Sequence, residues 1–162
     1  MNITEILVKM IDYSEGNIHD INHLIKVHSF AHIIAEQEQV DEQTQQIAEI
    51  AAIVHDIACP LCRIKYGNTN GKYQEKEGII LAREFLSDCG LSNEVLERVI
   101  YLVGHHHTLT NIDGIDYQIL IEADYLVNAD EAPFTKNNIE NTLNVIFKTP
   151  TGKALLKSIY GV

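Results

Sequence analysis

An all-α, single-domain helical bundle is the fold this sequence predicts, and three observations carry the prediction. Apolar residues recur every three or four positions through most of the chain. The composition favours helix, with only three prolines, no tryptophan, and abundant Ile, Leu, Ala, Glu, Gln and Lys. Capping and breaking residues such as Asp41, Ser92 and Gly90 bound the periodic segments. A chain of 162 residues is long enough for one domain with a real core, spanning 1–162.

Residues 2–14 form the first predicted helix, with Ile3, Ile6, Leu7, Met10 and Ile11 on one side and Gly16-Asn17 as its breaker. The second covers 18–38. Leu24, Val27, Ala31 and Ile34 belong to its apolar side, and His23, one turn before Val27, points inward with them. His19, His28 and His32 share this helix and are assigned to solvent or supporting roles. Asp41 caps a third helix, whose apolar run from Ile47 to Ala58 closes on His55 and Asp56. A buried imidazole beside a buried carboxylate is unfavourable unless both are paired or bound to a cation. The negative end of the helix dipole also favours a cation there. His55-Asp56 therefore reads as a metal-capable doublet, against the alternative of a core histidine bonded to its neighbour or to a carbonyl.

From Cys59 to Tyr73 the periodicity fails, and Pro60, Gly67, Asn68, Thr69, Asn70 and Gly71 predict a long loop, a binding loop or lid next to the doublet. A fourth helix is expected over 74–89, stopped by Gly90, and a fifth begins at Ser92 and runs into His105-His106-His107. Three consecutive histidines cannot share one helix face, so at most two reach a common point. After a turn at 111–114, a sixth helix over 116–129 buries Ile119, Leu120, Ala123 and Val127. Asp124 sits among those apolar neighbours, where an ionised carboxylate wants a cation or strong donors. A seventh helix spans 134–147, and Thr149-Pro150 opens a last one to Tyr160.

Composition excludes several classes. The net charge is −11 and the twelve Lys and Arg are scattered, so no basic face for duplex nucleic acid is expected. A bound divalent ion could still reverse the local potential for an anionic substrate. No export signal or membrane-spanning run is visible, which makes a soluble, cytoplasmic protein the expectation. Cys59, Cys62 and Cys89 are an odd count, which argues against a disulfide framework. Cys59 and Cys62 have redox-motif spacing but no preceding strand, and are read as two small, partly buried residues.

Four segments now stand in chain order: His23-Leu-Ile-Lys26-Val27; Ala52-Ile-Val-His55-Asp56-Ile-Ala58; Val99 to His106-His107; and Ile119-Leu-Ile-Glu-Ala-Asp124-Tyr-Leu126. Together they resemble the HD superfamily of metal-dependent phosphohydrolases, over roughly residues 18–130, with the helices of 134–160 following. The resemblance implies an HD-type helical domain with a divalent cation at its centre, held by His23, His55, Asp56 and Asp124. Manganese, iron, cobalt, nickel, zinc and magnesium all suit such ligands. Lys26 would face a substrate phosphate. Members with two metals carry a further histidine four residues before a glycine. Here Gln74 stands at that place before Gly78, so one ion is expected, or two if Glu75 or Glu77 substitutes and His106 and His107 take part.

The implied chemistry is hydrolysis of a nucleotide or other small phosphate ester, a phosphomonoesterase or phosphodiesterase, by a metal-activated water. Asp56 would bind the ion. His106, ahead of His107, Glu75 and Glu77, is the candidate to position the water or protonate the leaving oxygen. Arg63 or Lys65 could assist Lys26 at the phosphate. Two alternatives are a dinuclear-iron oxygenase, which the same fold also resembles, and a non-catalytic sensor of nucleotide or metal. Exposed apolar positions on the last two helices could pair two copies as a homodimer.

Overall fold

In this computed structural model, which describes residues 1–162, the chain forms nine helices and no strand. They are α1 (Ile3–Tyr13), α2 (Ile18–Gln37), α3 (Glu42–Val54), α4 (Cys59–Tyr66), α5 (Gly71–Leu86), α6 (Asn93–Val103), α7 (Ile115–Glu131), α8 (Lys136–Val145) and α9 (Pro150–Tyr160). Asp41, Ser92 and Thr149 cap their helices as read, and Asn2, Asn17 and Thr135 do the same. Each accepts a backbone N–H in the first turn of the helix it precedes. No helix is long and apolar enough to cross a membrane.

The centre is a mutual packing of α2, α3 and α7, with α1 and α6 against α3, and α5 against α6. The reason is the width of their apolar surfaces. Every residue of α3 from Ile47 to Val54 is buried, as is nearly all of α7 from Asp116 to Val127. A helix apolar all round must be enclosed by others. On α2, Val27, Ala31 and Ile34 are fully buried, and His23 sits in the same row at 4 % exposure. The row that packs the core thus delivers an imidazole to its end.

One expectation is corrected. Cys59 to Tyr66 is a helix, not loop, and only residues 67–70 separate it from α5. Pro60 lies in the first turn, where its missing N–H breaks no bond. Gly67 ends the helix in the left-handed region, at φ 70°. The buried or half-buried positions Cys59, Cys62 and Tyr66 have helical spacing that exposed polar neighbours and the exposed Ile64 obscure. The two thiols are free and buried. Burial, then the nearby Asp56 charge, pushes the Cys59 thiol far up, so it is not a nucleophile at neutral pH.

The C-terminal hairpin α8–α9 is tied to α7 through a fully buried carboxylate. Glu122 accepts from the backbone N–H of Lys148 (2.6 Å) and Thr149 (3.0 Å), from Gln118 Nε2 (2.7 Å) and from the Thr149 hydroxyl. Gly152 passes so close that a Cβ there would lie 1.9 Å from Glu122 Oε2. Gly152→Ala is therefore expected to lower unfolding stability by about 1–3 kcal/mol, as overpacking at a rigid site does, read as a lowered urea midpoint.

Candidate metal centre and substrate cavity

The site is assembled from four places in the chain. The inner row of α2 supplies His23, and the turn that ends α3 supplies His55 and Asp56. Asp124 comes from the middle of α7, and His106 from the turn after α6. His55 is the C-cap of α3, and its Nδ1 donates to the Ala52 carbonyl at 2.8 Å. His106 repeats this at the end of α6, with Nδ1 donating to the Val103 carbonyl at 2.8 Å. His23 Nδ1 donates to Glu131 Oε2 at 2.7 Å.

These three bonds decide the chemistry. Carbonyl and carboxylate oxygens only accept, so each Nδ1 carries a proton, and in the neutral ring each Nε2 presents a lone pair to an ion. His23 Nε2 lies 3.2 Å from His55 Nε2, 3.2 Å from Asp124 Oδ1 and 3.3 Å from Asp56 Oδ2. His55 Nε2 is 3.4 Å from Asp124 Oδ1. His106 Nε2 is 3.4 Å from Asp56 Oδ1. Acceptors facing acceptors repel unless a cation sits among them. Two ligand atoms each about 2.1 Å from one ion stand roughly 3.0–3.4 Å apart at right or tetrahedral angles, and these spacings fall in that range, while His55 Nε2 to Asp56 Oδ1 is a little longer at 3.6 Å. Asp124 Oδ1 and His106 Nε2 are buried with no hydrogen-bond partner, as is Gln74 Oε1 nearby. The donor set fits a divalent ion. Its side chains are mostly buried, except that Asp56 keeps 31 % of its side chain accessible and so marks the open side.

With no ion bound, protons answer the same clustering of carboxylates. Burial works against a charged His55 imidazole, but the Asp56 charge and the bond and charge of Asp124 outweigh it and raise its pKa to about 9. His23 is raised too: burial opposes it, and Asp124 and Asp56 prevail. Burial likewise opposes an ionised Asp124, yet His23 and His55 hold its carboxyl well below the usual range.

Two adjoining cavities open on this cluster. The smaller, about 170 Å³, is polar, and Asp56, Asp124, His23 and Gln74 are among its walls. The larger, about 380 Å³, lies mainly between α7 and α8. His107, Asp124 and Asn128 border both.

The structure brings together His23, His55, Asp56, Asp124 and His106, with His107 beside Asp56 and His106. His105 turns away, its Nδ1 donating to the Tyr101 carbonyl. Lys26, Glu75 and Glu77 are not brought to the cavities. Lys26 Nζ sits 3.6 Å from Glu131 Oε1 and lines a separate surface cleft with Phe30 and Tyr160. Glu75 accepts from the His107 N–H and the Thr108 hydroxyl, pinning the histidine turn to α5. Glu77 accepts from Lys65 and Tyr66 of α4. Arg63 does reach the polar cavity, but both guanidinium arms are bound to Asp20 at 2.7 Å. His28 and His32 hold the buried Glu49 instead. Sequence reasoning missed Asn128 and Glu131. Their signal was present: with Asp124 they form an i, i+4, i+7 polar stripe along α7.

Two outcomes are expected. His55→Ala should bind metal at least tenfold more weakly while helical circular dichroism is retained, measured by metal analysis of the dialysed protein. The second concerns protons competing with the ion. In chelator-treated protein the folded pKa of His55, about 9, exceeds its unfolded value of 6.5. Its stabilising contribution is then complete below pH 6.5 and lost as pH rises through 9. Thermal unfolding from pH 6 to 10 should show this decline in chelated protein and not in metal-loaded protein.

No curated protein matches the chain significantly. Among solved structures, a predicted HD superfamily hydrolase from an uncultured Thermotogales bacterium superposes with a TM-score of 0.72 at 26% sequence identity, covering 98% of this chain and 84% of that one. Residues 20–131 match the HD domain, a span that contains all four proposed ligands and His106, and the chain belongs to the HD domain family.

Proposed function

We propose that the protein is a divalent-metal-dependent phosphohydrolase acting on a small phosphate ester. The observation that carries this reading is the set of acceptor-only atoms from His23, His55, Asp56 and Asp124 facing one point at the floor of an open cavity. A divalent ion, when bound, supplies Lewis acidity that acidifies a water and offsets phosphoryl charge. Around it, the chain's own groups have distinct tasks. Asp56 and Asp124 stay ionised and supply the negative charge the ion needs. Gln74 donates from Nε2 to the Thr69 carbonyl at 2.8 Å, which fixes the amide and leaves Oε1 as an acceptor for a water hydrogen. His106 keeps its proton on Nδ1, so Nε2 can take one from the attacking water. Buried apolar side chains of α3, α6 and α7 exclude bulk water from beneath the cluster.

A second group supports room for another ion. The ligand atoms of Asp56, His106 and His107 also lie within 4.8 Å of one another and share Asp56 with the first set. The dinuclear-iron oxygenase reading draws on the same group. Iron content together with oxygen uptake separates it from a hydrolase.

The test is phosphate release from a panel of phosphate monoesters and diesters with Mn, Fe, Co, Ni, Zn and Mg supplied singly. At least one ion should give turnover, and Asp56→Asn should lower kcat by about a hundredfold or more. Tight binding of a panel member without turnover under every ion would identify a sensor instead.

A further inference from the structure

The larger cavity has a composition unlike that of the metal centre it adjoins. Leu109, Ile121, Tyr125, Ala132, Phe134 and Ile146 are six of its eleven lining residues, and no Lys or Arg lines it. The Tyr125 and Phe134 rings stand 5.4 Å apart at 37°. A volume of about 380 Å³ accommodates a one- or two-ring group. Asn128 and Thr142 add two polar side chains able to meet a polar substituent. Because His107, Asp124 and Asn128 border both cavities, a molecule with its phosphoryl group over Asp56 and Asp124 can extend past them into the apolar space.

The polar cavity limits the charge that molecule carries. Asp20, Asp56, Asp124 and Glu131 line it, and its one Lys or Arg side chain, Arg63, is bound through both arms to Asp20. Lys26 and Lys65, the other nearby basic residues, are paired with Glu131 and Glu77. A bound divalent ion offsets one phosphoryl group, but a polyphosphate chain would meet these carboxylates with no unpaired Lys or Arg in the cavity wall to receive it.

We propose that the apolar cavity is the leaving-group pocket, and that the substrate is a single-phosphoryl ester of an uncharged aromatic alcohol, with polyphosphates rejected. This rests on the phosphohydrolase reading. In the reaction a water oxygen bonds to phosphorus as the ester P–O bond breaks. The proton lost by water is matched by the one gained on the departing alcohol oxygen, giving the free alcohol and inorganic phosphate. The aromatic part remains among Tyr125, Phe134 and Ile121 throughout.

Two readouts test the proposal, one independent of turnover. The chain contains no tryptophan, so the fluorescence of 1-naphthol, a product-like ligand with no phosphate, reports its binding directly. Ala132→Phe, at the extended C-cap of α7, places a ring in the cavity, and Phe134→Ala removes a wall. Each should weaken naphthol binding at least tenfold. With the activating ion, the kcat/KM ratio of 1-naphthyl phosphate to glycerol 2-phosphate should fall at least tenfold in Ala132→Phe, mainly through KM, and wild-type protein should leave inorganic tripolyphosphate intact. Ester turnover with an unchanged ratio, or tripolyphosphate hydrolysis at a comparable rate, overturns the pocket assignment while the phosphohydrolase reading stands. Naphthol binding that responds to both variants, with no ester hydrolysed under any ion, supports an aromatic pocket and removes the hydrolase. Naphthol bound equally by wild type and both variants overturns the proposal outright.

Discussion

Lone pairs converging where no donor can meet them constrain this molecule more than any other contact. His23, His55 and His106 each donate Nδ1–H to a fixed oxygen, which aims Nε2 at the other members of the cluster, Asp56 and Asp124 among them. Such an arrangement is held together by a cation or by protons, and it exerts that demand on four separate segments at once. The bundle around it is strong enough to impose the geometry. α3 and α7 are buried on nearly every side, so the backbone positions of His55 and Asp124 are set by apolar packing.

The supporting contacts are as specific as the ligands. The Ala52 and Val103 carbonyls, freed at the ends of α3 and α6, choose the tautomers of His55 and His106. Glu131 does the same for His23 while also holding Lys26 away from the cavities. Glu75 and Tyr117 fix the histidine turn from opposite sides, through His107 and Thr108 and through the carbonyls of His105 and Thr108. Away from the centre, Glu122 anchors the C-terminal hairpin, which carries one wall of the apolar cavity. Lys26, Arg63 and Lys65 are paired with acids, so the electrostatics of the polar cavity are left to the cluster and whatever ion it holds.

Much of this was legible beforehand because helical periodicity and caps are local. His23, at the end of an apolar row, His55-Asp56, at the end of an apolar run, and Asp124, alone among aliphatic neighbours, each declare burial of a polar group by their immediate surroundings. α4 was obscured because Pro60 reads as a breaker until its first-turn position is known. Lys26, Glu75 and Glu77 were misdirected for a different reason. A long charged side chain on a helix surface has several partners within reach, and adjacency in sequence does not say which one wins.

The amino-acid order by itself therefore determined most of the helices and the burial of His23, His55-Asp56 and Asp124, since each follows from neighbours within a turn or two. Only the tertiary structure decided that those acceptors share one point, that Glu131 and two helix-end carbonyls orient them, and that an apolar cavity adjoins them. Those facts depend on distances between segments as much as 108 residues apart, such as His23 and Glu131. Crossing helices set such distances through packing, which no local pattern encodes.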